Sequence, residues 1–257
     1  MPGSLPKSTL YQAEVVVLRY MSLGEADRLL VLYSKDFGKI RASARGTRKT
    51  TSRIAGHLEP LTHSSLLLAR GSSLDIVSQA QTLKSFNQIR DDLGRIANGL
   101  YIAEIVDLFT EDEEPNAILF QLLLDTLDML SRVDVELLHL IIHRFEIQML
   151  GLMGYRPQLD TCAVNGESLP QNVPLSFSVV WGGVLCESCA SRDGTARKIS
   201  SRGVMILKIL QRGKMEVVEE IDMTKEARTA LSGLLRWYIQ TILEREVQSG
   251  AFLDSLQ

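Results

Sequence analysis

Lys39-Ile40-Arg41-Ala42-Ser43-Ala44-Arg45 alternates polar with apolar or small residues, and Gly46-Thr47-Arg48-Lys49-Thr50-Thr51-Ser52-Arg53 follows it directly. A period of two is that of a half-buried β-strand. In that register Ile40, Ala42 and Ala44 face a core, while Lys39, Arg41 and Arg45 share the solvent face. The Gly46–Arg53 stretch reads as a loop that extends the same positive surface. Lys39, Arg41, Arg45, Arg48, Lys49 and Arg53 are uninterrupted by any Asp or Glu. Such a surface suits a polyanionic backbone, which it binds mainly through the counterions it releases. The competing reading is a solvated strand face kept soluble by its charges.

Working outward, residues 10–80 read as β-rich, with strands expected at Gln12–Arg19, Arg28–Tyr33, Lys39–Ala44, Ser64–Ala69 and Leu74–Gln79. Arg70-Gly71-Ser72-Ser73 between the last two is a hairpin turn sequence. Five short strands with the widest gap between the third and fourth match an oligonucleotide-binding (OB) barrel; an SH3-like barrel has a similar count. From Phe86 the period becomes helical. Phe86, Ile89, Leu93, Ile96 and Leu100 predict one helix to about Phe109. A second helix begins near Pro115, and a third follows Asp134 as N-cap. Val204–Leu210 and Thr224–Val247 predict further helices. The expected architecture is an α+β multidomain chain: an OB barrel over residues 1–83, then an α-helical domain over 84–257, interrupted by a ribbon-like insert over 156–195.

The 257 residues and a 45% hydrophobic, 23% charged composition are ordinary for a globular chain of two or three units. The net charge of −3 conceals a partition. Residues 1–85 hold twelve Lys/Arg against six Asp/Glu; residues 91–150 hold three against thirteen. From Arg197 to Lys214 there are six basic residues and no acid, which marks Arg197, Lys198, Arg202 and Lys208 as a second candidate basic surface. Met1–Thr9 lacks the apolar core of a secretory signal, and no apolar stretch approaches the roughly 18 residues of a membrane span. Three cysteines cannot build a disulfide framework, so a reducing, cytoplasmic setting without membrane contact is expected.

Cys186-Glu187-Ser188-Cys189 has the form of one zinc-ribbon knuckle, and Cys162-Ala163-Val164-Asn165-Gly166 that of a second in which Asn165 holds the place of a thiolate. An amide oxygen is a poor zinc ligand beside thiolates. Three readings stand: zinc on Cys162, Cys186 and Cys189 with water or another side chain, a ribbon that has lost its metal, or three small buried residues.

The order of these parts resembles the RecO family of bacterial recombination mediators. The resemblance is carried by Val15-Val16-Val17-Leu18-Arg19, Gly24-Glu25-Ala26-Asp27-Arg28-Leu29, Phe37-Gly38-Lys39-Ile40, Arg45-Gly46-Thr47-Arg48, Leu58-Glu59-Pro60, Leu150-Gly151-Leu152-Met153-Gly154-Tyr155-Arg156-Pro157 and the Cys162–Cys189 segment. It covers roughly residues 11–248. It implies an OB barrel, a helical body, an embedded zinc-ribbon-like insert and a non-enzymatic role. That role is binding single- and double-stranded DNA, annealing complementary strands and, with a RecR-like protein, helping load RecA onto DNA coated by single-strand-binding protein. It also implies contact with that protein's acidic tail on the helical body, and residence at the nucleoid during repair. Asn165 departs from the family's four-cysteine form, which bears on the metal rather than on the fold.

Other chemistry reads less strongly. No phosphate-cradling Gly-rich loop with Lys-Ser or Lys-Thr is present. His139 and His143 have metal-clamp spacing on an apolar helix but lack the intervening Glu of a zinc protease, which favours packing. Glu111–Glu114 reads as a solvated acidic loop. Tyr33 and Phe37 are candidates for stacking on bases, with burial as the competing fate. Two other functional classes fit the same features: an RNA-binding barrel protein of translation or RNA processing, and a nuclease or hydrolase built around the ribbon.

Overall fold

The computed structural model describes residues 10–170, 173, 175–213 and 221–255. The chain divides into two compact units, one extending to Arg132 and taking in the residues from Ala251 onward, the other spanning Val133–Gly250. In the first unit, β1 (Leu10–Leu23), β2 (Asp27–Ser34), β3 (Gly38–Ala44), β4 (His63–Ala69) and β5 (Asp75–Lys84) close a barrel in the order β1-β2-β3-β5-β4. Neighbours are antiparallel except β3 and β5, a parallel seam made by Ala42↔Asp75 and Ser43↔Ile76. This is the expected five-stranded OB barrel. β1 is 14 residues long and shifts register between Val17 and Arg19, so it pairs with its two neighbours largely along different halves. Its first half pairs with β4, its second with β2.

Alternation does the sorting. On β4, Ser64, Leu66 and Leu68 point inward; on β3, Ile40, Ala42 and Ala44 do. With Val15, Val17, Leu30, Leu32 and Val77 they form one buried cluster, plugged by Leu58 from a single 3-10 turn at Ala55–Leu58. Each large side chain so buried contributes about 1.5–3 kcal/mol.

The expected Phe86–Phe109 helix is two helices, α1 (Asn87–Arg90) and α2 (Leu93–Phe109). Asp92 interrupts the run because its side chain accepts from the Arg95 backbone N–H at 2.8 Å, an N-cap that starts a new helix. α2 approaches the barrel through Gly99, where a Cβ would lie 2.5 Å from a Leu61 methyl. α3 (Ala117–Arg132) is capped by Asn116, which accepts from Leu119 N at 3.0 Å, so Pro115 stands just outside it rather than in its first turn.

In the second unit α4 (Leu138–Leu152) packs on α6 (Ser201–Arg212) and α7 (Lys225–Leu243); α8 (Gln248–Ser255) follows along the chain, spanning the division between the units at Gly250. Asp134 makes no side-chain cap; a 3-10 turn over Val135–Leu137 precedes α4 instead. α7 stops short of Val247 because Glu244 turns left-handed, at φ +54°. His143 sits between Glu146 (Nδ1 to Oε2, 3.0 Å) and Ser232 (Nε2 to Oγ, 3.1 Å). The order resembles a hydrolase triad, but all three are buried where α4 meets α7, so the network ties two helices together. Burial, with Arg228 and His143 nearby, pushes the His139 imidazole down to about 4, and among the described residues neither His139 nor His143 belongs to a cluster of three or more metal-ligating groups.

The ribbon-like segment forms a three-stranded sheet in the order β7-β6-β8, from β6 (Leu175–Ser178), β7 (Gly183–Leu185) and β8 (Arg197–Ile199), with a one-turn helix α5 (Glu187–Ala190); its third strand lies beyond the expected end of the insert at residue 195. Among the described residues no helix is long and apolar enough to cross a membrane.

Candidate functional site

Strand β3 has the predicted pleat, but its polar face is not uniformly wet. Lys39 is only 6% exposed, a correction to the expected solvent face of Lys39, Arg41 and Arg45. The C-terminal turn of α2 covers it. Its ammonium donates to the carbonyls of Asp107 (2.7 Å) and Thr110 (2.6 Å) and lies 3.3 Å from the Asp107 carboxylate, which Arg19 also holds at 2.7 Å. A helix C-terminus leaves carbonyls without intrahelical partners and carries partial negative charge, so a cation is well placed there. Lys39 therefore joins barrel to helix.

Arg41 is half exposed and pairs with Asp112 at 3.1 Å. Arg45, Arg48, Lys49 and Arg53 are exposed, and among the described residues none holds a carboxylate. Their loop is nonetheless anchored. Gly46 N–H donates to the Asp27 carboxylate (2.8 Å), Arg48 N–H to Ala26 O (3.0 Å), the Arg48 guanidinium to Gly24 O (3.1 Å) and Thr47 Oγ1 to Ala44 O (3.0 Å). These bonds dock it on the β1–β2 turn and the end of β3, and its four cations, Arg45, Arg48, Lys49 and Arg53, are exposed along it. Tyr33 is fully buried, and Phe37 packs on Tyr11 (ring centroids 4.8 Å) against the barrel core.

The second basic surface is divided between two elements. Arg197 and Lys198 lie on β8, with the Arg197 guanidinium 4.3 Å from the centre of the Trp237 ring. Arg202 and Lys208 lie on α6; Arg202 donates to Asp222 O at 2.7 Å, and Lys208 meets Asp160 at 3.5 Å. Lys214 lies outside the described residues.

Cys162, Cys186 and Cys189 converge, with sulfurs all within 4.8 Å of one another. Backbone pairing of Gln158 with Gly182 and Val184, and of Ala163 with Val184, carries the first knuckle to the second. Gly183 makes room, since a Cβ there would lie 2.3 Å from Gln158 O. Burial raises the Cys162 thiol, but donation from the backbone of Cys186, Asn165 and Val164 outweighs it and holds the group down to about 7. Three sulfurs at this spacing fit a zinc ion, whose tetrahedral thiolates stand about 3.8 Å apart. Cys162, Cys186 and Cys189 would hold it, and bound zinc would cross-link the two knuckles. The fourth place is taken by Asn165, whose amide nitrogen lies 3.9 Å from Cys186 Sγ while its oxygen accepts from Glu167 N at 3.1 Å. The amide thus turns a donor, not a lone pair, toward the sulfurs. Asn165→Cys is expected to tighten zinc binding about tenfold or more by completing four thiolates, measured by chelator competition with metal analysis. Equal retention by both proteins would show that this position does not limit the site.

Sequence models of two adjoining families match nearly the whole chain: "Recombination protein O N terminal" over residues 8–86 and "Recombination protein O C terminal" over residues 90–251. The chain belongs to the RecO family. Its similarity extends to the DNA repair protein RecO of Roseiflexus sp. (strain RS-1), 39% identical over 98% of this chain and 87% of the relative. It is also similar to the proteins of the same name from Desulforamulus reducens (35% identical, 96% and 95%) and Pelotomaculum thermopropionicum (38%, 95% and 94%). The RecO N-terminal match contains the whole barrel, including β3 and the basic loop, and the C-terminal match contains the cysteine ribbon.

Proposed function

We propose that this RecO-family chain is a DNA repair and recombination mediator without catalytic activity of its own. In this reading it binds single- and double-stranded DNA, anneals complementary strands and, with a RecR-like partner, helps load RecA onto DNA coated by single-strand-binding protein. The observation that carries the reading is the set of exposed cations Arg45, Arg48, Lys49 and Arg53, on a loop held by backbone anchors and free of carboxylates among the described residues. Such cations neutralise phosphates and release condensed counterions, lowering the repulsion between two strands as they pair. Lys39 is removed from the proposed DNA-contact set, and Arg41 stands at its edge.

The second unit offers a cleft of about 700 Å3 lined by Leu169, Leu175, Val204 and Met205 together with Arg202 and Lys208. A cleft with both apolar and cationic lining suits the acidic tail of single-strand-binding protein. The cellular setting that goes with these roles is the cytoplasm, at the nucleoid.

Annealing of complementary oligonucleotides coated with single-strand-binding protein tests the function. Acceleration by the purified chain, without strand cleavage in the presence of divalent metal, is the expected result. Cleavage products would overturn the non-enzymatic reading. Competition between DNA and RNA of matched sequence discriminates against an RNA-processing role, which predicts RNA as the stronger competitor.

A further inference from the structure

The acidic run Glu111–Glu114 is exposed, as expected of a solvated loop, and its backbone also lies along the barrel. The parallel seam reaches only Ala42 and Ser43 of β3, so the first half of that strand has an edge that β5 does not cover. Asp112 takes that place in a parallel bridge with Lys39, and Glu113 N–H donates to Lys39 O at 3.0 Å. The fit is close: a Cβ on Gly38 would lie 2.3 Å from Glu114 O. Two carboxylates of the run then reach two arginines, Asp112 to Arg41 at 3.1 Å and Glu113 to Arg70 at 3.3 Å. All four groups line one cleft of about 500 Å3, floored by Tyr11 and Phe37.

Three features distinguish this from a chance surface pairing. The segment is held by backbone hydrogen bonding as well as by charge, so its carboxylates are presented in register with the cations. Glu113 has φ +63°, a left-handed conformation that a residue with a side chain adopts only when its surroundings impose it. Arg70 in turn covers the Tyr11 ring at 4.7 Å, which holds its guanidinium in the cleft that Arg41 also lines. Both ion pairs are exposed, and exposed pairs are weak enough for another anion to replace them.

We propose that Arg41 and Arg70 form a phosphate-binding subsite for a single-stranded nucleic-acid backbone, which the chain's own Asp112 and Glu113 occupy until the backbone displaces them. This rests on the DNA-binding reading above and adds to it a second place for the strand, masked by an internal mimic of its charge. An arginine already neutralised by a carboxylate adds little to net counterion release, because displacing the acid frees one negative charge for each phosphate gained. The masked subsite is therefore nearly silent in the wild-type salt dependence.

The test is titration of labelled single-stranded DNA with the full chain across a salt series. Asp112→Asn with Glu113→Gln is expected to steepen the log–log slope by about 1.4, at about 0.7 per arginine unmasked, and to raise affinity about tenfold at 0.15 M salt. Adding Arg41→Ala and Arg70→Ala to that variant is expected to return both values to the wild-type level, which a general loss of acidity would not do. The same two arginine substitutions in the wild-type background are expected to change little. A slope and affinity unchanged by Asp112→Asn with Glu113→Gln, or a gain that survives loss of both arginines, overturns the proposal. The comparison variant Arg45→Ala with Arg48→Ala, Lys49→Ala and Arg53→Ala separates the two layers. If it binds DNA like the wild type, the DNA-contact reading and the masked subsite both fall; if it binds weakly while the acidic variant is silent, only the masked subsite falls.

Discussion

Replacing Arg45, Arg48, Lys49 and Arg53 together with Ala is expected to lower affinity for single-stranded DNA about two hundredfold at 0.15 M salt. The figure follows from four phosphate contacts at about 0.7 each in the log–log slope, a total of about 2.8, extrapolated from 1 M. The slope is the more discriminating measurement, because a misfolded variant loses affinity without losing that particular number of released ions. Arg48→Ala removes the guanidinium bond to Gly24 O, but the remaining anchors survive the substitutions: Gly46 N–H still meets Asp27, Arg48 N–H still meets Ala26 O, and Thr47 Oγ1 still meets Ala44 O. Fluorescence anisotropy between 0.05 and 0.3 M salt reads both quantities. An undiminished slope would place the strand elsewhere on the protein.

Lys39→Met is expected to act in the opposite sense, costing about 3 kcal/mol of stability while leaving the DNA salt slope unchanged. Its ammonium serves two carbonyls at the end of α2 and the Asp107 carboxylate. Removing a buried donor leaves its acceptors unsatisfied, at about 1–3 kcal/mol each, and Arg19 remains to hold Asp107, which limits the total. For a chain of this size that corresponds to a lowering of Tm by about 6–12 °C. Thermal unfolding followed by circular dichroism checks it. A variant as stable as the wild type would mean that water replaces the ammonium at those carbonyls.

These two outcomes show where sequence was readable and where it was not. Alternation in Lys39–Arg45 specified the strand, its inward face and the barrel, because a pleat is a local property. The fate of Lys39 was not local: its partners lie 68 and 71 residues away on an element whose docking no period reveals. Asn165 was legible, since knuckle spacing assigns the fourth ligand position without reference to the rest of the chain. The Ser232–His143 bond joins residues 89 apart and had no sequence signal. The division of α1 from α2 was available in principle from Asp92, a capping residue inside an apolar period that was read as continuous. Glu111–Glu114 is solvated, as its charge indicates; what the charge does not reveal is that its backbone also borders the uncovered edge of β3.

The seam between β3 and β5 has a consequence for how this barrel assembles. Every other neighbouring pair except β4 with β1 is joined by a short connection, whereas the parallel contact of Ala42 with Asp75 must wait until the chain between them has folded back. Loop-closure entropy disfavours such contacts early, so the β1–β2–β3 meander and the β4–β5 hairpin should form before the ring shuts. With only two residue pairs to hold it, that closure is the step at which the N-terminal unit completes and, by reversal, the one at which it first breathes open.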